Sequence, residues 1–120
     1  MGASEFASAY VNFVNAERGS VEYSANFWAF DRISALCISE PFEAWAAVKE
    51  VLAHDHSPNV TSSLGAGPIE ELLVNHGRKL IDLIERDAIE SASIRDALRS
   101  VWRSDTDPGV WRRVEKLGKG

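Results

Sequence analysis

The three histidines are where proton or metal chemistry would begin in this chain. His54 and His56 flank Asp55, and an extended backbone would let both imidazoles reach one ion, with a carboxylate completing the set. A zinc site needs three or four ligands, however, and the lone Cys37 offers no cysteine pair. The pattern therefore reads as a polar helix end with exposed histidines. His76 shares an apolar helix face with Ile69, Leu72 and Leu73, just before Gly77. It could act as a general base held by Glu70 or Glu71. It could equally bond the free carbonyls of a last helical turn, and with no nucleophile motif nearby the structural role is preferred.

Other reactive types carry less. Cys37 falls on a stripe with Ile33 and Leu36, the setting of a core thiol rather than of a reactive thiolate. Gly65-Ala66-Gly67-Pro68 resembles half a phosphate loop, but it lacks the Lys-Ser/Thr ending and runs into Glu70 and Glu71. Arg95, Arg99 and Arg103 make an i, i+4, i+8 row that could face phosphates. The chain as a whole is acidic, with a net charge of −5, so nucleic acid is not expected.

Helical spacing runs almost throughout. Phe6, Tyr10, Phe13 and Val14 mark a first helix ending near Gly19. Phe27, Phe30, Ile33, Leu36 and Cys37 mark a second, with Trp28 off its stripe. Pro41 opens a third carrying Phe42, Trp45, Val48 and Leu52. The segment His54–Ala66 has no period and reads as the one long loop. Gly67 as N-cap, Pro68 at the first helical position and Gly77 as a left-handed terminator then frame a short fourth helix. Leu80, Ile81, Ile84 and Ala88 give a fifth. Ser91 or Ser93 caps a sixth with Ile94, Leu98, Val101 and Trp102. Asp107-Pro108 opens a seventh with Val110, Trp111, Val114 and Leu117. Absence of any alternating run predicts an all-α protein, one domain of six to seven short helices packed as antiparallel pairs. Leu73, Ile84, Leu98, Trp102 and Trp111 are expected to be buried together, and Trp45, Trp102 and Trp111 to serve as core.

The 45% hydrophobic and 26% charged content is that of an ordinary globular protein of about one domain's size. No run approaches the roughly 20 apolar residues of a membrane span. Met1–Ala16 lacks a basic region and contains Glu5, which argues against a secretory signal. Met1–Phe6 reads in part as an expression leader or a frayed end. A single cysteine excludes an internal disulfide and fits a reducing cytoplasm. Charge is uneven: residues 1–77 hold 3 Lys/Arg against 10 Asp/Glu, residues 78–120 hold 10 against 8.

The second half also resembles a bacterial family of small helical domains of unknown function. The resemblance is carried by Gly67-Pro68-Ile69-Glu70-x-Leu72-Leu73, His76-Gly77, Ile81-Asp82-x-Ile84-Glu85, Ile94-Arg95-x-x-Leu98, Val101-Trp102 and Val110-Trp111-x-Arg113-Val114. Members usually have Asp-Pro and an aromatic where this chain has Ala92-Ser93 and Ile94. The resemblance implies a small helical bacterial protein and brings no activity with it.

Two function classes follow. One is a non-enzymatic interaction or regulatory module of the immunity or inhibitor type. It would bind a partner protein, a basic one by charge complementarity, through an acidic surface including Glu40, Glu43, Glu50 and Trp28. It would need no cofactor, nucleic acid or membrane, and a homodimer is compatible with it. The other is a small metal-dependent hydrolase built on His54, His56 and His76. Histidines in one cleft would favour the enzyme, and scattered histidines the binder.

Overall fold

The computed structural model describes residues 3–119. Seven α-helices follow one another: α1 (Ala3–Asn15), α2 (Val21–Ser39), α3 (Pro41–His54), α4 (Pro58–Leu64), α5 (Glu70–Ile89), α6 (Ala92–Leu98) and α7 (Pro108–Lys119). A π-helical turn, Gly65–Ile69, joins α4 to α5, and no strand occurs among the described residues. The all-α expectation holds.

Local chemistry explains most of the boundaries. Ser20 caps α2 by accepting from Tyr23 N, and Pro41 begins α3 where a missing N–H is harmless. Ser91 caps α6 through Ile94 N. Asp107 Oδ2 accepts from Gly109 N and Val110 N to open α7. The turn after α1 needs Gly19, the one glycine with positive φ (86°) among the described residues. α1 begins at Ala3 and Phe6 is buried, so the chain is helical rather than frayed from Ala3 onward. Met1 and Gly2 lie outside the described residues.

The middle of the chain departs from expectation. His54–Ala66 is not a loop, because Pro58–Leu64 is helical and buries Val60, Thr61 and Leu64. The longest irregular segment is instead residues 99–107. Gly67 is no cap, since Leu64 and Glu70 either side of the turn keep right-handed helical angles and the chain winds straight on. Pro68 sits inside the π turn, where the wider winding accommodates a residue without an N–H. Gly77 does not take positive φ, but a helix break does fall beside it: His76 leaves helical angles, so Glu70–Ile89 is two helical stretches that meet at a kink. The small size of Gly77 matters for another reason, because an added Cβ would lie 3.1 Å from Val110 Cγ1 on α7.

One continuous core gathers the inner faces of these helices, including Tyr10, Ile33, Trp45, Leu64, Leu73, Leu80, Ile84, Leu98 and Val114. Trp45 is fully buried, and its indole N–H donates to Asp87 Oδ2 at 2.8 Å. Lys49 donates to the same oxygen at 2.9 Å, so α3 is tied to α5 by a carboxylate only 15% exposed. Burial alone would raise the Asp87 carboxyl, but the bonds from Trp45 and Lys49 outweigh it and hold it below its ordinary 3.8. A lowered folded value means that this stabilisation is present above pH 3.8 and is lost as pH falls through the folded value. Acid titration of unfolding stability should show that loss. An Asp87→Asn variant, less stable at neutral pH, should lose less on acidification. Equal acid sensitivity in the two proteins would remove Asp87 from the account.

Candidate functional site

The sequence-derived candidates do not converge. His54 ends α3 and His56 follows it, both exposed, while Asp55 Oδ1 accepts from Ser57 N at 2.8 Å. That bond, more than either neighbouring imidazole, holds the Asp55 carboxyl below its ordinary value. Among the described residues no group of three His, Cys, Asp or Glu side chains could hold a metal ion. His54 and His76 line separate clefts.

His76 is the kink where the two helical stretches of α5 meet, and the one residue there that leaves helical angles (φ −140°, ψ 22°). Its Nε2 bonds the carbonyl of Ile38 at 3.0 Å. The ring therefore does serve a last-turn carbonyl, but that of α2. Since a carbonyl only accepts, Nε2 must carry the proton. The expected Glu70 partner is engaged elsewhere: its two oxygens accept from Trp102 N at 3.1 Å and Ser104 Oγ at 3.0 Å. Sequence reasoning missed this use of Glu70. The clamp holds Ser104 in the left-handed region (φ 46°), which a residue with a Cβ adopts only when its surroundings demand it. A cleft of about 430 Å³ separates the α5 kink from this loop, lined by His76, Arg78, Lys79, Asp105 and Asp107 among others. Arg78 spans it to Asp107 at 2.7 Å. The residues lining that cleft include no Ser, Thr or Cys.

Cys37 is a core thiol, as its position on the stripe implied. Its Sγ donates to Pro68 O at 3.5 Å, and burial, reinforced by Glu71, pushes its pKa up to about 12. The arginine row dissolves, because α6 ends at Leu98. Arg95 donates to the carbonyls of Ala88 and Ile89 at the end of α5, Arg99 to Gly118 O and Asp96, and Arg103 lies in the loop.

Trp102 overturns the expectation of burial: it lies beyond α6 and is 74% exposed. Trp111 is half-buried against the core, whereas Leu73, Ile84 and Leu98 are buried as expected. Trp102→Ala should therefore shift unfolding stability by no more than about 0.5 kcal/mol. A loss of several kcal/mol in chemical denaturation would contradict the exposed placement.

What the structure does assemble is an aromatic surface. The inner face of α2 is small, formed by Ala29, Ile33 and Cys37. Tyr23, Phe27, Phe30, Ser34 and Ile38 follow i, i+4, i+7, i+11, i+15 along a second face. Phe13 of α1 joins them, 4.7 Å from Tyr23, 5.2 Å from Phe30 and 5.7 Å from Phe27 between ring centroids. Phe27 is 42% exposed, Phe30 38% and the aliphatic Ile38 64%, while Phe13 and Tyr23 are half-buried. Phe42, expected on the core stripe of α3, is likewise exposed. Trp28 is exposed too, edge-on to Phe6 at 6.3 Å. Two apolar stripes on one helix exceed what a single packed face can bury, and that excess was the legible signal.

Charge divides in the same way. In the second half Asp82 and Glu85 grip Arg113, Asp87 holds Lys49, Asp96 holds Arg99 and Asp107 holds Arg78. No salt bridge among the described residues involves Glu22, Asp31, Glu40, Glu43 or Glu50. The first four are exposed and Glu50 is half-buried.

Comparison with known proteins now places the chain. A family model described as a family of unknown function (DUF6869) matches residues 16–120. The chain belongs to the DUF6869 family. That assignment covers α2 to α7, hence both the aromatic stripe of α2 and the Glu70 clamp, and it brings no activity. No curated protein and no solved structure matches this DUF6869 chain. No helix among its described residues is long and apolar enough to cross a membrane.

Proposed function

We propose that this DUF6869 protein is a non-enzymatic interaction module, of a regulatory or inhibitor type, that binds a basic partner protein on its α1–α3 side. The observation that carries the reading is the set of unpaired carboxylates there, Glu22, Asp31, Glu40 and Glu43, beside exposed aromatic rings. A folded chain that merely needed solubility would not also keep Phe27, Phe30 and Phe42 in contact with water. Interfaces favour aromatic anchors, and uncompensated charge steers the approach of an opposite partner. The scattered histidines support binding over hydrolysis. A buried, unreactive thiol fits a reducing, cytoplasmic setting.

Neutralising Glu40 and Glu43 together (Glu40→Gln, Glu43→Gln) should slow association several-fold with a partner recovered from the native host. Dissociation should change less, and the effect should shrink at high salt. A metal-dependent turnover lost in His54→Ala and His56→Ala, with no protein partner recovered, would replace this reading by a hydrolase.

A further inference from the structure

We infer that the partner element seated on α2 is a basic amphipathic helix, lying along the stripe from Tyr23 to Ile38; this rests on the interaction reading above. The stripe is straight because it is one face of an uninterrupted helix, Val21–Ser39. From Tyr23 to Ile38 it runs about 22 Å at 1.5 Å per residue, the length of four helical turns. Its apolar groups come at i, i+4, i+7 and i+15, the spacing that a second helix matches with its own repeat. An extended strand would meet no unpaired backbone edge here, since the whole face belongs to a helix.

Charge selects among helices. Asp31 follows Phe27 by four residues and precedes Ile38 by seven, so it sits within the stripe's own row. Glu40 and Glu43 are exposed just beyond its C-terminal end, and Glu22 lies at its start. None of these belongs to a salt bridge among the described residues. A second copy of this chain would bring the same carboxylates to a two-fold contact and set like charges together, which disfavours self-association. A helix with Lys or Arg flanking its apolar row neutralises them instead. The N-terminal end of the stripe opens into a shallow cleft lined by Phe13, Arg18, Tyr23, Asn59, Ser62 and Ser63, so the partner's basic flank is placed towards Asp31 and Glu40 rather than here.

The test uses two labelled synthetic helices of about fifteen residues, long enough to span the stripe. Both carry Leu at i, i+4, i+7 and i+11; one has Lys on its flanks and the other Glu. Fluorescence anisotropy with the full chain should show binding of the Lys helix and none of the Glu helix. Ile38→Ser, at a side chain too exposed to matter for folding, and Phe27→Ser should each weaken the Lys helix at least tenfold. Asp31→Asn should weaken it at low salt only. Equal binding of the two helices, or indifference to Ile38→Ser, overturns the inference, as does a concentration-dependent dimer abolished by Ile38→Ser. If the Lys helix fails while a host partner is still lost on Glu40→Gln and Glu43→Gln, the helix falls and the interaction reading stands.

Discussion

Gly65→Ala is expected to lower unfolding stability by about 3 kcal/mol, roughly 10 °C in melting temperature for a chain of this size. Gly65 is buried in the π turn, and the backbone of α6 passes directly over it. An added Cβ would overlap the Ala97 carbonyl oxygen and stand 2.8 Å from Ser100 Cβ. Neither neighbour can yield cheaply, since one is main chain and the other is a Cβ fixed to it. Alanine would gain about 1 kcal/mol of helix propensity over glycine, which the overlap outweighs. Gly67 supplies the control. An added Cβ there meets nothing within 4 Å, so Gly67→Ala should hold or raise stability by up to about 1 kcal/mol. Thermal unfolding followed by circular dichroism reads both. Two substitutions two residues apart should move the midpoint in opposite directions, and equal midpoints would show that α6 does not approach as described.

Trp45→Ala should cost about 3–5 kcal/mol, a large part of a stability of roughly 5–15 kcal/mol. The indole is fully buried at the α3–α5 contact, so its loss opens a cavity that fixed helices cannot collapse around. Trp45→Phe separates volume from hydrogen bonding. It keeps most of the apolar bulk but removes one of two close donors to Asp87, and should cost about 1–3 kcal/mol. Urea denaturation of the three proteins should rank them wild type, Phe, Ala. A Phe variant as unstable as the Ala variant would move the weight from packing to the Asp87 bond.

Those two residues also show what a sequence discloses. Trp45 was legible because Phe42, Trp45, Val48 and Leu52 keep helical spacing after a proline start. Ser91 and Asp107-Pro108 were legible because a cap is local chemistry. Gly65 was not, because its constraint comes from Ala97, thirty-two residues away, and nothing near Gly65 announces it. Gly67-Pro68 misled since proline at a helix start and proline inside a π turn look alike in one line of sequence. α4 was hidden by its brevity and its Asn, Thr and Ser content. Trp102 continued the spacing of Ile94 and Leu98, but the helix beneath that pattern stops at Leu98. Among the acids, Glu40 and Glu43 were named from the sequence and are exposed, Glu50 was named and is half-buried, and Asp31 was passed over, whereas Phe27 and Phe30 were assigned to the core stripe. Spacing states that two residues share a face and is silent on which face meets the protein.

The uneven pairing of carboxylates gives dissolved ions two opposite effects on this molecule. Around α5 and α7 they weaken the guanidinium contacts of Arg113 and Arg78, because those contacts are partly open to solvent. Around α1–α3 they relieve the mutual repulsion of acids that belong to no salt bridge among the described residues. The melting temperature should therefore drift little between dilute buffer and concentrated sodium chloride. Amide exchange should drift a good deal, slowing in the first three helices while it quickens in the last.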